Sequence, residues 1–325
     1  MSTTFSRRAV ISGIAGLAAA PLAGFAQSSQ SYPSLQLTIV VPSTAGGIID
    51  VVARTLGARM MAELKQTIVI DNRAGGNGHI GASLVAKAKP DGYTLLCAAG
   101  STLTSGVSRN LNYEPMKDLV PVARLVTSAV FLVIAADSPL KTVQDLIVAA
   151  KAKPGGVFFG STSAGNSTHI GAEMLNTLTG MGATHVPYKG AVAALQDLVG
   201  GRIQFMLDTR PSIGPLIQAG KLRMIAVSSR QRLKDFPNVP SIAEAVPGYE
   251  IEGWVGIFAP AGTPKDIVDK LGAAVQTAIA DPEVTMKLRA AGDVAFLPPV
   301  AARTFMNEDH ERIIKVVRAA NIVVD

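Results

Sequence analysis

The amino-acid sequence predicts an α/β protein of two lobes joined by two crossover hinge segments, and three observations predict it. Short apolar, β-branched runs alternate with helical-period segments in βαβα order. Setting aside 26 leader residues from 325 leaves 299, enough for two domains with their own cores. Two long extended segments, Leu119 to Ala136 and Tyr249 to Pro260, offer a path out of one lobe and back again. Paired crossovers there place lobe one at about 31–127 plus 253–325 and lobe two at 128–252.

The leader reads as an address. Ser6-Arg7-Arg8 precedes an uncharged apolar run from Ala9 to Phe25, and Gly24-Phe25-Ala26 offers small residues for cleavage, so the mature chain is expected to start near Gln27 in the periplasm. The arginine pair resembles the twin-arginine export signal, with Val10-Ile11 where that signal has Phe-Leu. A membrane anchor fits less well, because the run is rich in Gly, Ala and Pro and shorter than the roughly 20 strongly apolar residues of a spanning helix.

The strands are expected at Leu37 to Val41, Thr67 to Asp71, Tyr93 to Ala98, Ala129 to Ala136, Ile203 to Leu207, Arg223 to Ser228 and Val255 to Pro260. Continuous apolar runs of this kind suit parallel strands covered on both faces. Val52, Leu56, Met60 and Leu64 share one helical face, as do Ala191, Ala194, Leu195 and Leu198. A third stripe, Ile267 through Ile279, follows Thr263-Pro264, a helix start with proline in its first position. No repeat of 20–50 residues is visible, although the two lobes use similar devices.

Composition excludes several functions. Hydrophobic residues make up 48% and charged residues 17%, as in a globular chain. The net charge of +6 falls to +4 without Arg7 and Arg8, and it is spread without a basic block, which argues against a nucleic-acid partner. A mildly positive field favours an anionic small molecule. Cys97 is the only cysteine; it forms no internal disulfide and reads as an inert core thiol. His79, His169, His185 and His310 are scattered, with no H-E-x-x-H and no cysteine pair, so no metal site is expected.

Chemistry is expected in the turns that follow strands. Ser43, Thr44, Ala45, Gly46 and Gly47 lead from the first strand into a helix. Glycines there expose backbone N–H groups and the helix start adds a positive dipole end, which together form an anion cradle. Its position at a strand carboxyl end favours ligand binding over a plain βα turn. Asp50 would repel an anion and reads as ordering the loop. A second glycine-rich stretch has G-x-G-x-x-G at Gly76, Gly78 and Gly81. The following strand supplies no acidic residue for a ribose, so the dinucleotide reading is discounted, and Gly78 with His79 reads as a pocket wall, with a surface turn as the equal alternative.

In the other lobe, Ser161, Ser163, Ala164, Asn166, Thr168 and His169 line a Gly-, hydroxyl- and amide-bearing turn whose donors match carboxylate oxygens, although its Ser, Thr and Asn residues would equally suit an ordinary N-cap. It misses the G-x-S-x-G nucleophile elbow, because Ser163 lies three positions after Gly160. His169 and Asp208 are conceivable triad partners, but the capping or core reading of His169 is preferred. Ser101, Thr102, Lys189, Asp208 and Arg210 sit at further strand ends. Lys189 and Arg210 are candidate charge partners, with solvated loop cations as the equal alternative. Arg109 and Tyr113 are placed near the opening, and Trp254 in the hinge.

Together these stretches resemble the Bug-type, or TctC-type, extracytoplasmic binding proteins of tripartite tricarboxylate transport systems. The landmarks are Pro42 with Ala45-Gly46-Gly47 and Asp50, Asp71-Asn72-Arg73-Ala74-Gly75, Gly78-His79-Ile80-Gly81-Ala82 and Lys89-Pro90-Asp91-Gly92-Tyr93. His185-Val186-Pro187-Tyr188-Lys189-Gly190, Gly220-Lys221-Leu222-Arg223 and Ala259-Pro260-Ala261-Gly262-Thr263-Pro264 extend the likeness along nearly the whole mature chain. The resemblance implies a Venus-flytrap fold, no cofactor, no catalysis, and a small carboxylate held by backbone amides and ordered water from the first-strand loop and the second-lobe loop. It also implies membrane transporter subunits as partners of a monomer. Two departures stand out: Ser43, where the family often has an aromatic residue, and Arg210, where it commonly has an apolar or hydroxyl residue. A sensory receptor and a secreted hydrolase are the alternatives, separable by partner and by turnover.

Overall fold

A computed structural model describes residues 32–104, 110–162, 165–289 and 291–322. The leader, Arg109, Ser163 and Ala164 lie outside the described residues.

The chain runs β1 (Leu37–Val41), α1 (Ile48–Leu64), β2 (Ile68–Asn72), a 3₁₀ turn (Gly76–Gly78), α2 (His79–Ala86), β3 (Thr94–Ala99), α3 (Ser101–Thr104), α4 (Pro115–Asp118) and β4 (Leu119–Ala129). It continues through β5 (Phe131–Ala135), α5 (Val143–Ala152), β6 (Phe158–Ser161), α6 (Ser167–Thr179), β7 (Thr184–Pro187), α7 (Ala191–Val199), β8 (Phe205–Asp208), α8 (Arg210–Gln218) and β9 (Leu222–Val227). It ends with α9 (Ile242–Ala245), β10 (Glu252–Pro260), α10 (Lys265–Ala280), α11 (Pro282–Leu288), β11 (Asp293–Leu297) and α12 (Pro299–Ala319). No helix among the described residues is long and apolar enough to cross a membrane.

The strands form two open sheets, one in the order β11-β4-β10-β3-β1-β2 and the other β7-β6-β8-β5-β9. The expected all-parallel arrangement is corrected here: both sheets are mixed. β1 pairs in parallel with β2 and β3, and β6 with β7 and β8. Each sheet then takes in a strand that arrives from the other sheet and therefore runs backwards. β10 is antiparallel to β3 and β4, and β5 is antiparallel to β8 and β9. The strand expected from Ala129 to Ala136 is β5, with its first residue, Ala129, ending β4 instead. β11 was not foreseen; Asp293–Leu297 is never fully buried and so lacks a continuous apolar signature.

Strand register fixes how the sheets meet. β4 leaves the six-stranded sheet at Ala129, paired with Glu252, where β10 begins beside the carboxyl end of β3. One residue later β5 enters the five-stranded sheet at Phe131, paired with Asp208 at the carboxyl end of β8. The carboxyl edges of the two sheets are thus joined through Val130. Ser228, with no exposed surface, ties the return path to it. Its N–H donates to Val130 O at 2.9 Å, its Oγ accepts from Val130 N–H at 2.9 Å, and its carbonyl accepts from Ile251 N–H at 3.2 Å.

Each sheet is packed on both faces. α1 and α10 cover one face of the six-stranded sheet through Leu56, Met60, Leu271 and Val275, and α2 lies on the other with Val85 beside Leu96 and Phe258. The five-stranded sheet buries Phe159, Leu175 and Phe205 on one face and Met206, Leu195 and Ile213 on the other. α12 spans both: Met306 belongs to the cluster around Trp254 and Phe258, whereas Ile313, Val316, Val317 and the following Ile322 pack with Leu175 and Tyr249.

Candidate functional site

The turn after β1 is held from within. Gly46 takes a left-handed φ of +82° and donates its N–H to Asp50 Oδ2 at 2.9 Å. Asp50, 2% exposed, also accepts from Arg54 Nε at 2.9 Å and from Asn72 Nδ2 at 2.9 Å, and the same Nδ2 reaches Ser43 O. Arg54 chiefly, with the Gly46 and Asn72 donors, holds the Asp50 carboxyl down at about 2. Asp50 therefore orders the loop. The Gly46 amide, expected as a ligand donor, is already engaged. The donors that remain are the first-turn amides of α1, because its N-cap, Gly47, makes no side-chain cap bond. Thr44, Ala45 and Gly46 are exposed above them. Ser43 Oγ is buried with no hydrogen-bond partner among the described residues.

Two further turns close on this one. A Cβ at Gly78 would lie 3.1 Å from the Thr102 side chain and 3.4 Å from Pro42 Cβ, and one at Gly81 only 3.0 Å from Pro42 Cβ. Those glycines, two of the three that mimic a dinucleotide motif, permit close approach to Pro42 instead. His79 Nδ1 bonds Tyr113 OH at 2.7 Å, and burial lowers its pKa. Tyr113 thus anchors the wall. Ser101 opens α3 beside Thr102.

The turn after β6 is built from side chains. Asn166 caps α6, its Oδ1 accepting from His169 N–H at 3.0 Å and Thr168 Oγ1 at 2.7 Å, while its Nδ2 donates to Thr162 Oγ1 at 2.8 Å. Gly165 N–H donates to His169 Nδ1 at 3.0 Å. Ser161, Thr168 and His169, expected to face a ligand, are 0%, 3% and 5% exposed and are occupied with this internal mesh. Their strong N-cap pattern is what made them look like donors. Segment 188–190 lies alongside, with Tyr188 N–H on Ser161 O and Gly190 N–H on Thr162 O, so exposed Lys189 stands next to the turn.

Asp208 closes β8. It is 3% exposed, its Oδ1 accepts from Thr209 N–H at 2.7 Å, and Oδ2 has no partner among the described residues; burial raises its pKa. It is bonded to Thr209 and not to His169, so the imagined triad is not assembled. Arg210, exposed at the start of α8, places its guanidinium carbon 5.0 Å over the Phe236 ring. It has no acidic partner among the described residues.

The histidines are less scattered than their spacing suggests. His169 and His185 stack with ring centroids 3.9 Å apart, and His185 Nε2 lies 2.7 Å from Ser161 Oγ. With Glu173 they bring three potential ligand atoms within 4.8 Å of one another. The proton positions oppose a metal. Because His169 Nδ1 accepts from Gly165, its Nε2 carries the hydrogen; binding a cation there would set two N–H groups against each other. Burial, then the neighbouring His185, lowers the His169 pKa to about 4.

These features agree with the similarities of the chain to known proteins. A model of the tripartite tricarboxylate transporter family receptor matches residues 52–322. The UPF0065 protein in the tcbD-tcbE intergenic region of Pseudomonas sp. (strain P51) is 38% identical over 307 residues, 93% of this chain and 91% of that one. Among solved structures, R. palustris Rpa4515 with adipate is 36% identical with a TM-score of 0.71, covering 90% of this chain and 99% of that one. A TctC solute-binding protein from Polaromonas, without ligand, is 29% identical with a TM-score of 0.81, covering 89% and 100%.

Proposed function

Because this chain belongs to the family of tripartite tricarboxylate transporter receptors, a family of periplasmic solute-binding proteins, we propose that it captures a small dicarboxylate between its two sheets and presents it to a membrane transporter. One observation carries this reading: the glycine turns after β1 and β6 stand at carboxyl edges that are joined through Val130 and tied by Ser228, which supports a ligand shared between them. The uncapped amides of α1 take one carboxylate. Arg210, steadied by Phe236 and lacking an acidic partner among the described residues, takes the distal one. The similar protein crystallised with adipate supports a ligand with two carboxylates.

The lobes in this reading are 31–127 with most of 253–325, and 128–252, with the end of α12 seated on the second. In this reading the ligand-free protein rests with its lobes open. Ligand then favours closure by contacts present only when the lobes meet. The ligand leaves chemically unchanged, the protein acts as a monomer, and residues 1–26 direct its export by the twin-arginine route.

The test is native mass spectrometry of freshly purified protein, then a thermal-shift screen of aliphatic and aromatic acids. A ligand at 100 times its dissociation constant stabilises the fold by about 2.7 kcal/mol. Arg210→Ala is expected to weaken the best dicarboxylate at least tenfold and to leave the matching monocarboxylate unchanged. Silence across the panel, or equal affinity of the variant for the dicarboxylate, overturns the reading.

A further inference from the structure

α12 carries one buried acid, and its partners lie on three separate parts of the chain. Asp309 is 2% exposed. Its Oδ2 accepts from Trp254 Nε1 at 3.0 Å and from Thr104 Oγ1 at 2.8 Å, and its Oδ1 accepts from Arg312 Nη2 at 2.9 Å. Arg312 in turn lies 3.6 Å from Glu250, on the path that returns to β10. Thr104 ends α3, the short helix that begins with Ser101 and Thr102. His310 Nδ1 bonds Thr104 O at 2.6 Å, so two successive residues of α12 grip the same threonine. Trp254 O accepts from Gly100 N–H at 2.8 Å, and a Cβ on Gly100 would collide with the indole at 1.9 Å.

An apolar side chain at 309 would pack the space but would not fix directions. A carboxylate removed from water is costly unless its lone pairs are taken, and here three donors take them. The geometry is also well placed. Asp309 lies between Met306, which packs with the six-stranded sheet, and Ile313, which packs with the five-stranded sheet. Val130 and Ser228, where the two crossovers touch, are reached from Trp254 along β10 and Ile251.

We propose that Asp309 is a positioning residue, locking α3, the returning crossover at Trp254 and the middle of α12 into one rigid unit, so that a ligand contact at Ser101 or Thr102 is transmitted to the hinge. Its purpose rests on the receptor reading above; its test does not.

The experiment measures the distance between spin labels on Glu63→Cys in α1 and Lys151→Cys in α5, both exposed, in the full mature chain. Cys97 has no exposed surface and stays unlabelled. Without ligand, the parent protein gives one narrow distribution. Asp309→Asn replaces an acceptor oxygen with an NH₂ group facing the Trp254 donor. It is expected to add a second population, shifting the ratio of lobe arrangements about tenfold, the equivalent of one hydrogen bond to a charged group. Thr104→Val, close to isosteric, removes a single donor and gives a smaller change of the same kind if Asp309→Asn fails to fold. A merely structural role lowers the melting temperature and leaves both distributions narrow, and that result overturns the proposal. Adipate is then added to each: no response from the parent counts against the carboxylate reading alone, while ligand-free broadening still upholds the role of Asp309.

Discussion

The turn after β1 and the turn after β6 enter their helices on the same plan, and they differ in what fills it. Gly46 and Gly165 both take left-handed φ, +82° and +77°, and both donate their N–H to the side chain four residues on, in the first turn of a helix. Aligned on those glycines, Pro42-Ser43-Thr44-Ala45-Gly46-Gly47-Ile48-Ile49-Asp50 matches Ser161-Thr162-Ser163-Ala164-Gly165-Asn166-Ser167-Thr168-His169. The sheets agree as well: in each, the second strand lies beside the first, then the third, then the antiparallel visitor. Yet the acceptor is a carboxylate in one turn and a neutral imidazole in the other, and the N-cap is a bare Gly47 in one and a bonding Asn166 in the other. The first turn leaves its helix-start amides without a side-chain cap, the donors assigned above to the ligand, while the second uses side chains to hold its own shape.

The largest expected effect comes from giving the second turn the chemistry of the first. His169→Asp places a carboxylate at a site 5% exposed, near Glu173 and without a cation like Arg54, whose side chain is 2.9 Å from Asp50. Urea unfolding is expected to show a loss of about 3–5 kcal/mol, the penalty of an uncompensated buried charge. Asp50→Asn keeps an acceptor for Gly46 but gives up the charge facing Arg54 and turns an NH₂ group toward the Asn72 Nδ2 donor, a loss of about 1–3 kcal/mol. Equal losses in the two variants break the comparison.

Acid separates the turns by a smaller margin. His169 protonates near its ordinary 6.5 in the unfolded chain and at about 4 when folded, so between those values the unfolded state binds more protons. Stability from this group is therefore full above pH 6.5 and falls by about 3 kcal/mol as the pH drops to 4. Asp50, held near 2 against an ordinary 3.8, begins to lose its contribution only below pH 3.8. His169→Gln is expected to flatten the slope between pH 6.5 and 4, leaving the part due to His185, whose pKa burial also lowers. An unchanged slope in that variant places the proton elsewhere.

What was legible in the sequence follows from how locally each feature is determined. β1, β3, β9 and the stripe of α10 announce themselves because their apolar pattern depends on near neighbours, and Asp50 is recognisable as an ordering residue because it repeats a helix-start rule. The reversal of β5 and β10 is invisible in such patterns, since a strand buried on both faces looks the same in either direction. The stacking of His169 on His185, the grip of Asp309 on Trp254 and the crossing of α12 between cores depend on residues 16, 55 and many more positions apart. Hydroxyls in the second turn read equally as ligand donors or as an N-cap, because both draw on the same residue types, and the structure shows Thr162 and Thr168 bonded within the cap.

The smallest expected effect on stability is the sharpest on function. Gly47 has φ −72° and ψ 165°, which any residue adopts, and a Cβ there would sit 3.3 Å from Thr44 O, a contact relieved by a slight shift of the loop. Gly47→Asn gives the first turn the cap that Asn166 provides in the second. A side-chain oxygen then accepts from the first-turn amides of α1, which is worth a few tenths of a kcal/mol over glycine and is expected to leave the melting temperature level or slightly raised. The same oxygen occupies the donors assigned to the ligand and sets a negative dipole end against its carboxylate. Titration with the best acid from the thermal-shift panel is therefore expected to show at least tenfold weaker binding in a protein that is no less stable. Retained affinity moves the carboxylate to the second turn and reverses the division of labour between the two.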